Sequence, residues 1–280
     1  MIIFKEASPL TSHIKQAKEQ IRKIGFVPTM GALHKGHLRL IEASKKENDI
    51  TVCSIFVNPT QFNNPEDFKY YPVTIENDIS QLIHMGCDIL FLPPVEEIYS
   101  NNFEKKEYNL GELEFVLEGY YRPGHFQGVC QVVDRLLQIV EPDNLYMGQK
   151  DFQQCMVIQK LLELTGMNKE IIMKIVPTVR EADGLAMSSR NLRLSPEQRE
   201  LSTALYQALS TIRNDRNTSA YAELKQKGKE ALEQKGFKVD YIEIAEATTL
   251  LPATDNKENL VALVAASIGS VRLIDNLLLD

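Results

Sequence analysis

His34 and His37 bracket Gly36 in the run Pro28-Thr29-Met30-Gly31-Ala32-Leu33-His34-Lys35-Gly36-His37. On a helix start this spacing sets two imidazoles one turn apart and facing the same side. Backbone N–H groups and the helix dipole favour a phosphate there, and Gly36 leaves room for a nucleotide to lie against the backbone. Gly31 and Gly36 have the glycine spacing of a P-loop, but position 37 is His and no Ser or Thr follows. That departure argues against the P-loop, whose Lys and hydroxyl hold the phosphates and magnesium. Metal ligation is a second reading of the pair, although no third Cys or His completes a ligand pattern. Capping of a helix end is a third.

Two further clusters carry polar chemistry. Gly184-Leu185-Ala186-Met187-Ser188-Ser189-Arg190-Asn191 sets two hydroxyls beside an Arg, a donor set suited to polyphosphate. A polar linker is the plainer reading of that stretch taken alone. Gly148-Gln149-Lys150-Asp151, with Gln153 and Gln154, opens a helix after a short strand, and Lys150 there can reach a phosphate. A solvated helix start explains it equally well. His125 follows Arg122-Pro123-Gly124 in an expected loop near the site; Arg122 closing over a substrate is one reading, and a loop residue without that role is the plainer one. His13 and His84 read as surface or core. Asp78 and Glu76 are either magnesium helpers or dipole partners at a helix start.

Parallel β-α-β units must hold these residues. Lys23–Pro28 reads as a strand, Gly36–Glu47 as a helix, and Ile50–Val57 as a strand buried on both faces. Ile75–Met85 is expected to be helical, and Asp88–Leu92 a strand stopped by Pro93-Pro94. Helices are expected at Val129–Val140 and Phe152–Leu164, with a strand near Leu145–Met147 between them and a last strand over Glu170–Val179. In such α/β sheets ligands sit at the carboxyl ends of strands. The rhythm then changes. Ser195-Pro196-Glu197 starts helices that run to about Asn214 and from Ser219 to Gln234, before strands at Val239–Ala245 and Leu260–Ile268. The expected organisation is a Rossmann-like parallel-sheet domain over 1–182 and a smaller α+β lid domain over 183–280.

The composition excludes several classes. With 280 residues, 44% hydrophobic and 25% charged, the chain is an ordinary globular protein. A net charge of −7 gives no general attraction to nucleic acid. No apolar run approaches the ~20 residues of a membrane span, and MIIFKEASPL does not resemble a secretory signal. Cys53, Cys87, Cys130 and Cys155 form no C-x-x-C pair, so buried free thiols in a reducing cytoplasm are expected. No G-x-S-x-G or paired Cys–His signature marks an enzyme nucleophile.

VPTMGALHKGH, FVNPTQF at Phe56–Phe62, YYRPGHFQGV at Tyr120–Val129, GQKDFQQ and DGLAMSSRN together resemble the pantoate–β-alanine ligase family, in the family's order over residues 28–191. His-x-Gly-His alone is shared with nucleotidylyltransferases and class I aminoacyl-tRNA synthetases; FVNPTQF with GQKDFQQ is much more restrictive. The resemblance implies ATP held by Met30, Gly31, Ala32, Leu33, His34, Lys35, Gly36 and His37. It further implies ATP contacts from Gly148, Gln149, Lys150 and Asp151, and from Val179, Met187, Ser188, Ser189 and Arg190. By the same resemblance His37 is a general acid and His34 a phosphate partner. Gln61 and Gln154 are implied to bind pantoate, Gln61 also serving β-alanine. Mg²⁺ with the triphosphate, a homodimer, and pantothenate made through a pantoyl adenylate complete what it implies. Val73 after Pro72, where the family suggests Arg, and Gln149, where an acid is common, depart from the pattern. The alternative, a nucleotidylyltransferase acting on a phosphorylated metabolite, should need more basic residues and has no use for the FVNPTQF glutamine.

Overall fold

The computed structural model describes residues 1–99, 104–254 and 258–279. In chain order the elements are β1 (Ile2–Phe4), α1 (Ala7–Glu19), β2 (Ile24–Thr29), α2 (Lys35–Glu47), β3 (Ile50–Ile55), α3 (Pro65–Lys69), α4 (Ile75–His84), β4 (Ile89–Phe91), α5 (Val95–Ile98) and α6 (Leu117–Tyr121). There follow α7 (His125–Val140), β5 (Asn144–Gly148), α8 (Phe152–Thr165), β6 (Ile172–Val176), α9 (Pro196–Leu201), α10 (Ala204–Asp215), α11 (Tyr221–Glu233), β7 (Lys238–Glu246), β8 (Leu260–Ile268) and β9 (Val271–Leu278). The chain divides into two compact units. The larger comprises residues 1–111, 122–149 and 154–177; the smaller comprises 112–121, 150–153 and 178–280.

In the larger unit six strands form a parallel sheet in the order β1-β4-β3-β2-β5-β6. β3 is buried at every position, as its β-branched, two-faced pattern demands. Val27, Leu40, Ile41, Cys53, Leu82 and Leu90 form one core cluster in which α2, α4 and the sheet meet. All four cysteines are free and buried. Burial pushes the Cys87 thiol up to about 11 and Cys53 well above its ordinary value, so both stay protonated at neutral pH.

The strand order reverses between β2 and β5. Those two strands pair only at Gly25↔Asn144 and Phe26↔Leu145, whereas β2 pairs with β3 along its whole length. Pro28, which has no N–H for a ladder, stands beyond the last β5 pair. The two strands therefore part toward their carboxyl ends. That is the crevice in which open α/β sheets bind ligands.

In the smaller unit β7, β8 and β9 form an antiparallel sheet, and α10 and α11 pack on it through Leu205, Leu209, Ile212, Leu224 and Leu232. Ser195 caps α9 through a reciprocal box with Gln198, at the start expected from Ser195-Pro196. The sequence reading overlooked β1, α1 and β9. It also began α7 four residues late, since His125–Gly128 are helical. Gly128 is needed there: a Cβ would strike the Thr60 carbonyl, so α7 packs directly on the turn that carries Gln61.

Candidate active site

At the carboxyl end of β2 the chain makes a tight turn before α2 begins. Thr29 Oγ1 donates to the Ser54 carbonyl at 2.8 Å and accepts from Gly31 N–H at 3.2 Å. Gly31 and Ala32 both take left-handed backbone angles, φ 81° and 47°. For Ala32 that conformation costs about 1–2 kcal/mol. It is held by Asp78, a fully buried residue of α4. Ala32 N–H donates to its Oδ2 at 2.9 Å and Leu33 N–H to its Oδ1 at 2.8 Å. Thr74 Oγ1 adds a third donor at 3.0 Å. Hydrogen bonds to a charged group contribute about 1.5–3 kcal/mol each, so the carboxylate outweighs the strain of the turn. Asp78 thus serves the turn itself, while Glu76 lies in the first turn of α4.

The turn delivers His34 as the cap of α2 and His37 as its third residue. Gly36 N–H donates to His34 Nδ1 at 3.1 Å, and His34 N–H donates to His37 Nδ1 at 3.3 Å. The two rings stack with centroids 4.0 Å apart. The capping that was one reading from sequence is present here. Because each Nδ1 accepts a hydrogen bond, the neutral imidazole carries its proton on Nε2. Each ring is thereby set as an Nε2–H donor at the N-terminus of α2. Asn48 and Tyr146 tie the far end of α2 to the sheet by a hydrogen bond of 2.8 Å.

Gln61 lies in the turn after β3, buried, with its Nε2 on Met30 Sδ at 3.1 Å. The structure therefore brings Gln61 to the Met30–His37 segment. Its amide orientation is determined by Asn58, whose Nδ2 donates to Gln61 Oε1 at 3.0 Å and to the Gly128 carbonyl at 3.1 Å. Asn58 Oδ1 in turn accepts from the Tyr99 hydroxyl and Thr60. Gln61 thus has its oxygen engaged by Asn58 and its Nε2 turned toward Met30 as a donor. Arg122 and His125, expected in a loop near the site, hold this turn, and His125 is the first residue of α7. His125 is buried, its Nδ1 donates to the Gln61 carbonyl at 2.7 Å, and its Nε2 accepts from Arg122 at 3.0 Å.

Gly148 ends β5 across the crevice, with Gln149 next, and Cys155 Sγ–H donates to the Gly148 carbonyl. Gln154 is half-buried in α8. Within the smaller unit the other expected residues are linked to one another. Met187 N–H donates to the Val179 carbonyl at 3.0 Å, and Ser188 caps the short helix that carries Ser189 and Arg190. The Arg180 guanidinium is held by Asp275 at 2.6 and 2.9 Å and lies over the Tyr206 ring. Asn276 Nδ2 donates to the Lys150 carbonyl at 2.8 Å, so two adjacent residues of β9 secure both the Lys150 segment and the strap that leads to Met187. Lys150 Nζ lies 3.8 Å from Asp151 Oδ1. Burial raises the Asp275 carboxyl above its ordinary range against the opposing pull of Arg180. Among the described residues no three His, Cys, Asp or Glu side chains gather into a metal site.

The arrangement is a pair of fixed imidazole donors and a helix N-terminus at the switch point of a parallel sheet, with a donor amide beside them. A family model for pantoate-beta-alanine ligase matches residues 2–278. The chain belongs to the pantoate–β-alanine ligase family. Pantothenate synthetase from Cytophaga hutchinsonii is 44% identical over 100% of the chain and 99% of its own length. That from Pseudomonas fluorescens is 44% identical over 99% and 97%. A crystal structure of the enzyme from Thermus thermophilus superposes with a TM-score of 0.92 at 41% identity, covering 99% of both chains. That of pantoate-beta-alanine ligase from Francisella tularensis, complexed with beta-gamma ATP and beta-alanine, superposes at 0.83 with 40% identity over 99% and 97%. The chain is accordingly an ATP-dependent ligase that joins pantoate to β-alanine.

The sequence reading missed Asn58, Asp275 and Asn276; it placed Asp78 at a helix start, where it stands, without its bonds to Ala32 and Leu33. Only Asn58 carried a local signal, as the Asn before Pro59 in FVNPTQF.

Proposed function

We propose that the reaction runs in two steps on the residues gathered at the β2 and β5 ends. The pantoate carboxylate attacks the α-phosphorus of ATP, the bond to the bridging oxygen breaks, and pyrophosphate leaves. The β-alanine amine then attacks the acyl carbon of the pantoyl adenylate, loses a proton, and displaces AMP. The observation that carries this reading is the His34–His37 pair, set as Nε2–H donors on α2 with the Gln61 amide against Met30 in the same segment.

Their work is to position reactants and stabilise charge. Fixing reactants in line can supply about 7–11 kcal/mol, and no enzyme nucleophile is needed. His34 and the α2 N-terminus hold phosphate oxygens, and His37 donates to charge developing as pyrophosphate departs. Gln61 binds pantoate by donation without adding charge, which matters when a carboxylate must approach a polyanion. In this scheme Lys150, Ser188, Ser189 and Arg190 of the smaller unit are further phosphate donors. Mg²⁺ is expected to arrive with the triphosphate, and no step is routed through it. A homodimer accords with the exposed edge strand β6, whose Ile172 and Ile175 face solvent. No helix among the described residues is long and apolar enough to cross a membrane.

Exchange of labelled pyrophosphate into ATP tests the scheme. It is expected to require pantoate and to proceed without β-alanine, with AMP and pantothenate accumulating only when both are present. Exchange that needs β-alanine would rule out a free-standing adenylate step. For Gln154→Ala the expected result is a pantoate KM raised roughly tenfold or more, as loss of a hydrogen bond to a substrate group predicts, with the KM for ATP kept. An unchanged pantoate KM would remove Gln154 from that subsite.

A further inference from the structure

We propose that Asp78 is the positioning residue that gives His34 and His37 their catalytic geometry, an inference that rests on the role assigned to those histidines above. Three successive N–H groups, of Gly31, Ala32 and Leu33, turn inward at the end of β2. Successive backbone N–H groups of this kind make an anion-binding nest, the device by which P-loops cradle phosphate. Here the nest is filled from within. Asp78 Oδ2 and Oδ1 take the N–H groups of Ala32 and Leu33, and Thr29 Oγ1 takes that of Gly31.

Two consequences follow from the chain's own anion occupying that place. A phosphate cannot use the turn, so the nucleotide is left to the next set of donors, the α2 N-terminus and the two imidazoles. The turn is also rigid, because it is bound at successive residues to α4, whose Thr74 bonds the same carboxylate. Leu33, clamped by Asp78, directly precedes His34, whose N–H must meet His37 Nδ1 for the two rings to stack. Loss of the clamp frees Ala32 to leave its left-handed angle and carries His34 out of register. Asp78 does this from a position shielded from solvent and 44 residues along the chain from His34.

Asp78→Asn keeps the side-chain volume, but one amide oxygen replaces two acceptors and its NH₂ faces an N–H group. The expected result is a pantoate-dependent ATP–pyrophosphate exchange rate lower by about 10²-fold, the effect of misplacing a catalytic group by roughly 1 Å. The β-alanine KM should be little changed. A second readout, which a merely structural role would not move, is the ¹⁵N imidazole spectrum of the folded variant. In it His34 and His37 should lose their uniform Nε2–H form. His37→Ala is run in parallel. If that variant keeps wild-type exchange, the histidine assignment fails, and the role of Asp78 fails with it. If His37→Ala is slow while Asp78→Asn keeps both its rate and its imidazole signals, only the inference about Asp78 is overturned. Should Asp78→Asn not fold, Thr74→Val, which deletes a single donor to the carboxylate, is expected to slow exchange several-fold with the same imidazole change. Unaltered rate and spectrum in Thr74→Val would refute the clamp.

Discussion

His37→Ala is expected to slow adenylate formation by 10²-fold or more, measured as pantoate-dependent ATP–pyrophosphate exchange, as removal of one transition-state donor does. The substitution removes two things, and the structure separates them. One is the Nε2–H donor at the α2 N-terminus. The other is the acceptor for His34 N–H in the reciprocal cap. Cap loss costs about 0.5–2 kcal/mol of stability and leaves a folded protein. His37→Gln divides the two effects, because Gln at the third helical position rebuilds a capping box. Its stability should match wild type, while its rate stays well below, since the amide donor is not where the imidazole donor was. A His37→Ala enzyme that turns over normally would take His37 out of the mechanism. A His37→Gln enzyme as fast as wild type would reduce its role to that of any N–H donor.

How far this site could be read beforehand depends on the range of the contacts that build it. The strand–turn–helix around Met30–His37 is local, and its flanking strand and glycines, with the second hydroxyl–Arg cluster, favoured an anion site over metal ligation or capping. The parallel sheet was equally legible from runs such as Ile50–Ile55, whose burial on both faces leaves an unbroken apolar pattern. What the spacing could not reveal is that both Nδ1 atoms are consumed by the cap, because the capping and catalytic readings use the same residues. Asp78 illustrates the second limit. Its sequence neighbours say only that an acid stands in the first turn of α4, a position ordinarily explained by the helix dipole. Its partners, Ala32 and Leu33, lie on another β-α unit and meet it only when the sheet assembles. Helix α1 was missed for the opposite reason. Ala7, Leu10, Ile14 and Ala17 have helical spacing, but Glu6 makes no side-chain cap to mark the start. In β9 the buried pair Asp275-Asn276 interrupts the apolar alternation, and its meaning lies in Arg180 and Lys150, which it holds.

The longest-range feature of the fold also supports the largest expected stability change. Residues 112–121 fall amid the sequence of the larger unit yet belong to the smaller one. Arg272 of β9 holds them there. Its Nη1 and Nη2 donate to the two Glu118 carboxylate oxygens at 2.8 and 2.7 Å, and its Nε donates to Asp240 at 2.7 Å. The Tyr241 hydroxyl donates to Glu118 Oε1 at 2.9 Å, and burial together with the Glu118 charge keeps that phenol protonated. Burial alone would lower the Arg272 pKa, but Glu118 and Asp240 raise it above the ordinary guanidinium value. Arg272→Ala would take from the buried Glu118 carboxylate the guanidinium that holds both of its oxygens. The expected cost is about 3–5 kcal/mol in the unfolding of the smaller unit, followed by urea titration or by hydrogen exchange of β7–β9 amides. Arg272→Met combined with Glu118→Leu should recover most of it, because removing both charges also removes the desolvation penalty. A loss below about 1 kcal/mol in the single variant would mean that the pair is solvated like a surface salt bridge. The same network reaches the segment of Lys150, a proposed ATP contact, through Gln153. Its Oε1 accepts from Glu118 N–H, and its Nε2 donates to the Leu113 and Val116 carbonyls. Gln153 lies three residues from Lys150, in the segment that opens α8. Arg272→Ala should therefore raise the KM for ATP as well as lower stability, and the double variant should restore the two together. Restored stability with a KM still raised would show that the ion pair, rather than the packing of residues 112–121, sets the position of Lys150.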